Sequence, residues 1–271
     1  GSGISLTVVD RAGRTQRTIA AKRPWTPRIS PDGRQVAYGA FGSGRESSDI
    51  WVTDVVAGKT RRLTDDNADS NDPQWSADGK TVAYSANAVG GKDLLAQRLD
   101  GAAVRELITR EGTQFASDWL RDGSALLVSE QTESNGFDIL VQPADGSRPW
   151  PYAATRANET AARISSDGRW IAYTSDESGR TEVYLDSYPR PGRRVQVTWN
   201  GGLHPVWRGD GRELYYWNDG ALTAVKLGAP AGNAAPEVGE QTVLFRAPYL
   251  VGQNTMYDVW PDGKRFVIVR Q

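Results

Sequence analysis

Apolar triplets punctuate this chain at a near-constant interval, each placed just after an Asp-Gly pair. The triplets are Val36-Ala37-Tyr38, Val82-Ala83-Tyr84, Leu126-Leu127-Val128, Ile171-Ala172-Tyr173, Leu214-Tyr215-Tyr216 and Phe266-Val267-Ile268. The aspartates of the pairs stand at 32, 78, 122, 167, 210 and 262, in steps of 43 to 52 residues. Three residues before each aspartate lies a large side chain: Ile29, Trp75, Trp119, Ile164, Trp207 or Val259. Asp-Gly between apolar runs predicts a strand, a tight turn with positive φ, and a second strand. The triplets are continuous rather than alternating, which suits strands covered on both faces.

A third strand is predicted at Ile50-Trp51-Val52, Leu94-Leu95-Ala96, Ile139-Leu140-Val141, Val183-Tyr184-Leu185 and Leu222-Val225. A more polar fourth follows, as in Thr60-Leu63, Val104-Leu107 and Val195-Val197. Charge on such an outermost strand discourages edge-to-edge pairing. A period near 45 residues with these turns points to an all-β chain, a six-bladed β-propeller of four-stranded antiparallel blades. The expected blades span about 24–64, 70–108, 114–152, 159–198, 202–245 and 255–271 plus 4–19, in one domain over 4–271. The last unit stops after two strands, so the hairpin built from Leu6-Val9 and Gln16-Ile19 is expected to complete it and close the ring. A Gly-, Ala- and Pro-rich stretch at 228–239 reads as a loop inserted in the fifth unit.

Composition narrows the function. With 32 basic and 33 acidic residues the net charge is −1, so nothing drives binding to nucleic acid or to an anionic membrane. No apolar stretch is long enough to span a bilayer. The chain has no cysteine, which excludes disulfides, thiol catalysis and cysteine-ligated zinc. Gly1-Ser2-Gly3 reads as an expression remnant and is left out of the fold reading, and a native leader or anchor could have been removed with it.

The recurring text Ile29-Ser30-Pro31-Asp32-Gly33, Trp75-Ser76-Ala77-Asp78-Gly79, Ile164-Ser165-Ser166-Asp167-Gly168 and Val259-Trp260-Pro261-Asp262-Gly263 resembles the WD-like repeats of TolB-like six-bladed propellers. Asp49-Ile50-Trp51-Val52, Arg62-Leu63-Thr64 and Thr174-Arg180 match other signatures of that group, and the likeness covers essentially the whole chain. The close from Tyr257 to Val267 is similar to propellers that follow the kinase domain and membrane helix of bacterial serine/threonine protein kinases. That resemblance implies an extracytoplasmic sensor or interaction domain, tethered to the inner membrane in a full-length protein. It implies a protein, peptide or small polar ligand as partner, with no cofactor. A stand-alone periplasmic scaffold of the TolB type is the first alternative. A hydrolase or lyase with its active site in the channel is the second.

The residues offer little catalysis. His204 is the one histidine, and no Gly-x-Ser-x-Gly nucleophile elbow exists for it to serve. Phosphate-binding, dinucleotide and kinase motifs are also missing, so the segment is expected not to be an enzyme. Asp65, Asn67 and Asp69 have the spacing that opens a calcium loop, but Ser70 and Ser76 stand where its glycine and glutamate belong. The loop therefore reads as a solvated turn with self-bonded Asx side chains, with no metal expected and calcium as the weaker alternative. Four residues before each turn aspartate lie Arg28, Gln74, Asp118, Arg163, Val206 and Asp258, which strand parity puts at the channel. Asp118 with Arg163, and Asp258 with Arg28, read as inter-blade salt bridges or as a charged lining that selects a polar ligand. Trp25, Asp72, Phe115, His204 and Met256 are expected around the mouth opposite the turns. A concave rim of mixed aromatic and polar groups suits ligand recognition, although ordinary blade packing would also use the aromatics.

Overall fold

The computed structural model describes residues 3–42, 47–65, 68–88, 91–132, 136–229, 234–248 and 254–270. These residues are all-β, with no helix among them. In chain order the strands are β1 (Ser5–Asp10), β2 (Thr15–Ile19), β3 (Lys22–Ile29), β4 (Gln35–Phe41), β5 (Ser48–Asp54), β6 (Thr60–Arg62), β7 (Ser70–Trp75), β8 (Thr81–Ala88), β9 (Gly91–Arg98), β10 (Arg105–Ile108), β11 (Gly112–Trp119) and β12 (Ala125–Thr132). They continue as β13 (Gly136–Pro143), β14 (Trp150–Ala153), β15 (Glu159–Ile164), β16 (Trp170–Ser175), β17 (Glu182–Ser187), β18 (Val195–Gln196), β19 (Leu203–Trp207), β20 (Glu213–Asn218), β21 (Ala221–Leu227), β22 (Val238–Arg246), β23 (Tyr257–Val259) and β24 (Arg265–Arg270).

The expectation of six four-stranded blades is corrected. Four four-stranded blades form: β3-β4-β5-β6, β15-β16-β17-β18, β19-β20-β21-β22 and β2-β1-β24-β23. The remaining strands make one eight-stranded sheet, β14-β13-β12-β11-β9-β8-β7, with β10 beside β9. The fusion has a local cause. Gly112 and Thr113 of β11 pair in parallel with Gly91 and Lys92 of β9. A Cβ on Gly91 would lie 1.8 Å from the Gly112 carbonyl oxygen, and Gly91 has φ 151°. Only a residue without a side chain lets the two backbones come close enough to share a ladder.

The chain ends meet in one sheet. Leu6 faces Val269 and Val9 faces Phe266 in an antiparallel register. Arg11, in the turn between β1 and β2, fastens this sheet to its neighbour by donating to Glu213 Oε2 (3.1 Å), Tyr215 Oη (3.0 Å) and the Gly263 carbonyl (2.9 Å). The apolar core lies between sheets rather than within one. Val9, Tyr257, Val259 and Phe266 of the closing sheet pack with Val206, Tyr215, Trp217 and Leu222 of the β19–β22 blade. Burial on both faces is why the triplets of β4, β8, β12, β16, β20 and β24 are unbroken.

The Asp-Gly turns are longer than a two-residue hairpin. The Ser30 amide donates to the Gln35 carbonyl (2.8 Å), and the Ser30 hydroxyl donates to Asp32 Oδ1 (2.6 Å). Asp32 Oδ1 also accepts from the Arg34 amide, and Gly33 alone takes positive φ, 71°. The aspartate thus satisfies turn donors while the glycine supplies the left-handed residue. Residues 76–81 and 165–170 repeat this network.

Candidate ligand-binding channel

Strands β3, β7, β11, β15, β19 and β23 each lead into an Asp-Gly turn and contact one another in cyclic order around a channel. Most of them carry a bulge before the channel-facing segment. Thr26, Asp72, Ala161 and His204 each lie six residues before the turn aspartate and have φ of 45°, 54°, 55° and 56°. Pairing with the neighbouring strand breaks there, between Trp25 and Arg28, Asn71 and Gln74, Thr160 and Arg163, and Leu203 and Val206. Such a bulge re-aims the side chains that follow it, and a positive φ in a non-glycine residue is held only by firm surroundings.

The strands are stitched to each other in two alternative ways. Where a tryptophan stands three residues before the turn, its indole N–H reaches back to a carbonyl of the preceding channel strand. Trp75 donates to Arg28 (2.9 Å), Trp119 to Gln74 (3.2 Å) and Trp207 to Arg163 (2.9 Å). Where an isoleucine stands there instead, the preceding strand supplies an aspartate that accepts from the isoleucine amide. Asp118 Oδ2 takes the Ile164 N–H (3.1 Å) and Asp258 Oδ2 takes the Ile29 N–H (2.7 Å). The two aspartates are therefore carboxylate staples to backbone. Asp118 has an ion pair with Arg121, at 3.6 Å.

The arginines turn inward. Arg28 Nη1 donates to the carbonyls of Pro27 (2.6 Å), Thr255 (3.0 Å) and Tyr257 (3.3 Å). Arg163 Nη1 donates to Gln74 Oε1 (3.1 Å), past β11 to the next channel strand but one, and Gln74 Nε2 donates to the Ala116 carbonyl of β11. Arg28, Gln74 and Arg163 are all buried. Burial pushes the Asp258 carboxyl above its ordinary pKa, and nearby Arg163 and Arg28 partly oppose that rise. Together these groups form a polar plug across the channel.

The plug separates two cavities. On the turn side lies one of about 290 Å³. Arg28, Gln74, Asp118, Arg163, Val206 and Asp258 line it, as do Trp75 and Trp207 and the turn residues Pro31, Ser166 and Pro261. Sequence reading missed two of its cations, Arg121 and Arg208. A signal for them existed: Leu120-Arg121 and Arg208-Gly209 break the Ser-x-Asp-Gly turn text.

On the opposite side is a cavity of about 20 Å³, room for a water or two. Asp72, Phe115, Thr160 and Thr255 line it, with Arg28 and Arg163 reaching it from the plug. Asp72 is buried; its amide donates to Thr26 Oγ1 (3.3 Å), and that hydroxyl is the one side-chain hydrogen-bonding group beside its carboxylate. Burial raises its pKa to about 6, against the pull of Lys92 and Arg28.

Trp25, His204 and Met256 line neither cavity. Trp25 packs edge-on against Phe41 at 5.2 Å and over Gly39, where a Cβ would lie 2.3 Å from the indole nitrogen. His204 is buried; its amide donates to Thr174 Oγ1 (3.1 Å) and its carbonyl accepts from Tyr257 Oη (2.8 Å). Met256 accepts from the Thr26 amide through Sδ at 3.4 Å. In the 65–72 loop, Asn67 lies outside the described residues. Asp65 pairs with Arg62. Asp69 accepts from the Ser48 amide (2.9 Å) and Asn87 Nδ2 (3.0 Å). Among the described residues no group of three acidic or histidine side chains could hold a metal ion.

Comparison with known proteins places this geometry. The family model described as "TolB beta propeller domain" matches residues 4–150. The chain is 25% identical over 190 residues to the uncharacterized peptidase YuxL of Bacillus subtilis, covering 68% of this chain and 27% of that protein. It is 26% identical over 117 residues to the TolB homolog of Chlorobium luteolum, covering 43% of this chain and 26% of that protein. The chain thus spans about a quarter of either relative. Among solved structures, putative TolB from Agrobacterium tumefaciens superposes with a TM-score of 0.75 over 100% of this chain and 98% of that one, at 16% identity, a likeness of fold.

Proposed function

Because the chain belongs to the TolB β-propeller family, we propose that it is a non-catalytic binding module that receives a protein or peptide segment in the turn-side cavity of its channel. The observation that carries this is the polar plug, which makes the cavity a blind socket. A through-channel would let a chain thread; a socket with a fixed charged floor and tryptophan walls suits an inserted side chain or chain end. Its groups are held by backbone staples before any ligand arrives, so little ordering entropy is lost on binding. An extracytoplasmic location is part of this reading. The kinase-sensor setting has no support from the relatives named above, which are TolB and peptidase-like proteins.

The test is selection from a random peptide library on the wild-type protein, with counter-selection on Ser166→Trp. Ser166 is exposed at the cavity rim, so an indole there obstructs the socket without entering the core. Peptides that bind the wild type and not the variant are expected. If no such peptide is enriched, the reading fails.

The likeness to YuxL favours one second reading. The propeller would then be the non-catalytic part of a longer peptidase-like protein, guarding or presenting substrate to chemistry elsewhere. Peptidase assays on the full-length protein separate the two readings.

A further inference from the structure

Resting on the reading of the turn-side cavity as a binding socket, we propose that the socket selects a carboxylate, supplied by an acidic side chain or free C-terminus of the inserted peptide. Four guanidiniums line the cavity, from Arg28, Arg121, Arg163 and Arg208, against two carboxylates, Asp118 and Asp258. Each carboxylate already gives one oxygen to a neighbouring strand's amide. Arg208 shares Glu213 with Arg11, at 3.5 Å and 3.1 Å, and lies 3.6 Å from Asp210, while Arg121 pairs with Asp118 at 3.6 Å. Arg163 bonds neutral Gln74, so its cationic charge is the one left poorly compensated in a confined space.

A second observation points the same way. Arg163 is 7% exposed, and its Nη2 is buried without a hydrogen-bond acceptor. A buried donor of that kind is unfavourable until an acceptor arrives, and a charged acceptor serves it best. The flanking walls are apolar, from Trp75, Trp207, Pro31 and Pro261, which suits a carboxylate on a hydrocarbon stem. Inorganic phosphate has no hydrocarbon stem to lie against those apolar walls, which favours carboxylate over it.

Acetylated pentapeptides of alanine with a central Glu or Gln, each amidated or with a free C-terminus, provide the probes. The indole N–H resonances of Trp75 and Trp207 report occupancy, because those groups form the socket wall. The Glu-amide or the Gln-acid peptide is expected to bind at least about tenfold more tightly than the Gln-amide. Comparing those two peptides tells side chain from terminus. The advantage should vanish in Arg163→Gln and shrink in Arg208→Ala, a rim change that leaves the plug intact. Equal binding of the neutral peptide, still blocked by Ser166→Trp, overturns the carboxylate claim and leaves the socket reading standing. Preferential shifts with inorganic phosphate overturn it too. If no carboxylate probe shifts either indole at millimolar concentration, the claim fails, and the library result decides separately whether the socket binds peptides at all.

Discussion

Replacing Asp72 by asparagine should stabilise the protein at neutral and alkaline pH and lose that advantage in acid. The carboxylate is buried with little beside the Thr26 hydroxyl to satisfy it, and burial raises its pKa from 3.8 to about 6. A rise of roughly two pKa units, at about 1.36 kcal/mol each, means that ionised Asp72 destabilises the fold by about 3 kcal/mol. Asparagine is nearly isosteric and tolerates the φ of 54°. Its amide adds donors that also lack partners, which offsets about 1–3 kcal/mol of the gain. The pH dependence escapes that correction. Above about pH 6 the carboxyl is ionised in both folded and unfolded chains, and the penalty is complete. As pH falls through 6 the native state takes up the proton first, so wild-type stability rises relative to the variant. The difference is exhausted below the unfolded value of 3.8. Urea denaturation of both proteins at pH 8 and pH 4.5 reads this directly. The stability of the Asp72→Asn variant relative to wild type should drop by about 2 kcal/mol between those conditions. A constant difference, or one that grows toward acid, would show that Asp72 is compensated in the native state and that the reasoning is wrong.

Other consequences can be checked with the same methods. Asp118→Ala leaves the buried Ile164 and Trp119 amides without an acceptor and should destabilise by about 3 kcal/mol in urea melts, while Asp118→Asn keeps an acceptor and should lose less. Gly91→Ala drives a Cβ into the Gly112 carbonyl and should cost about 1–3 kcal/mol, with faster amide exchange at Thr113 as the fused sheet parts. Deleting residues 3–19 removes the buried Leu6, Val8, Val9 and Ile19 and bares β24. At about 1.5–3 kcal/mol per side chain that rivals the whole net stability, so no cooperative unfolding transition should remain by calorimetry. Asp32 and Asp78 are held below the usual carboxylate range, chiefly by the hydroxyls of Ser30 and Ser76. Their stabilisation is present above about pH 4 and is lost as pH falls through their lowered values, so Ser30→Ala and Ser76→Ala should flatten the acid limb of the stability profile.

Much of this architecture was legible from spacing alone. Asp-Gly pairs at regular steps announce repeated strand–turn–strand units, because the glycine must take positive φ and the flanking runs must be buried on both faces. Strand parity likewise brought Arg28, Gln74, Asp118, Arg163 and Asp258 to one channel, since alternate side chains point the same way. The number of separate sheets was not legible. Two glycines far apart in sequence, Gly91 and Gly112, had to meet before it became clear that their backbones share a ladder. Nor could a sequence reveal that Asp118 and Asp258 each accept an amide of the neighbouring strand, or that Arg163 reaches Gln74 two strands away. Those outcomes rest on distances between strands more than forty residues apart, which local pattern does not encode. The chain's own text specifies what each unit is. Closure of the ring decides which unit's donor meets which unit's acceptor, and so which buried group, such as Arg163 Nη2, is left without one.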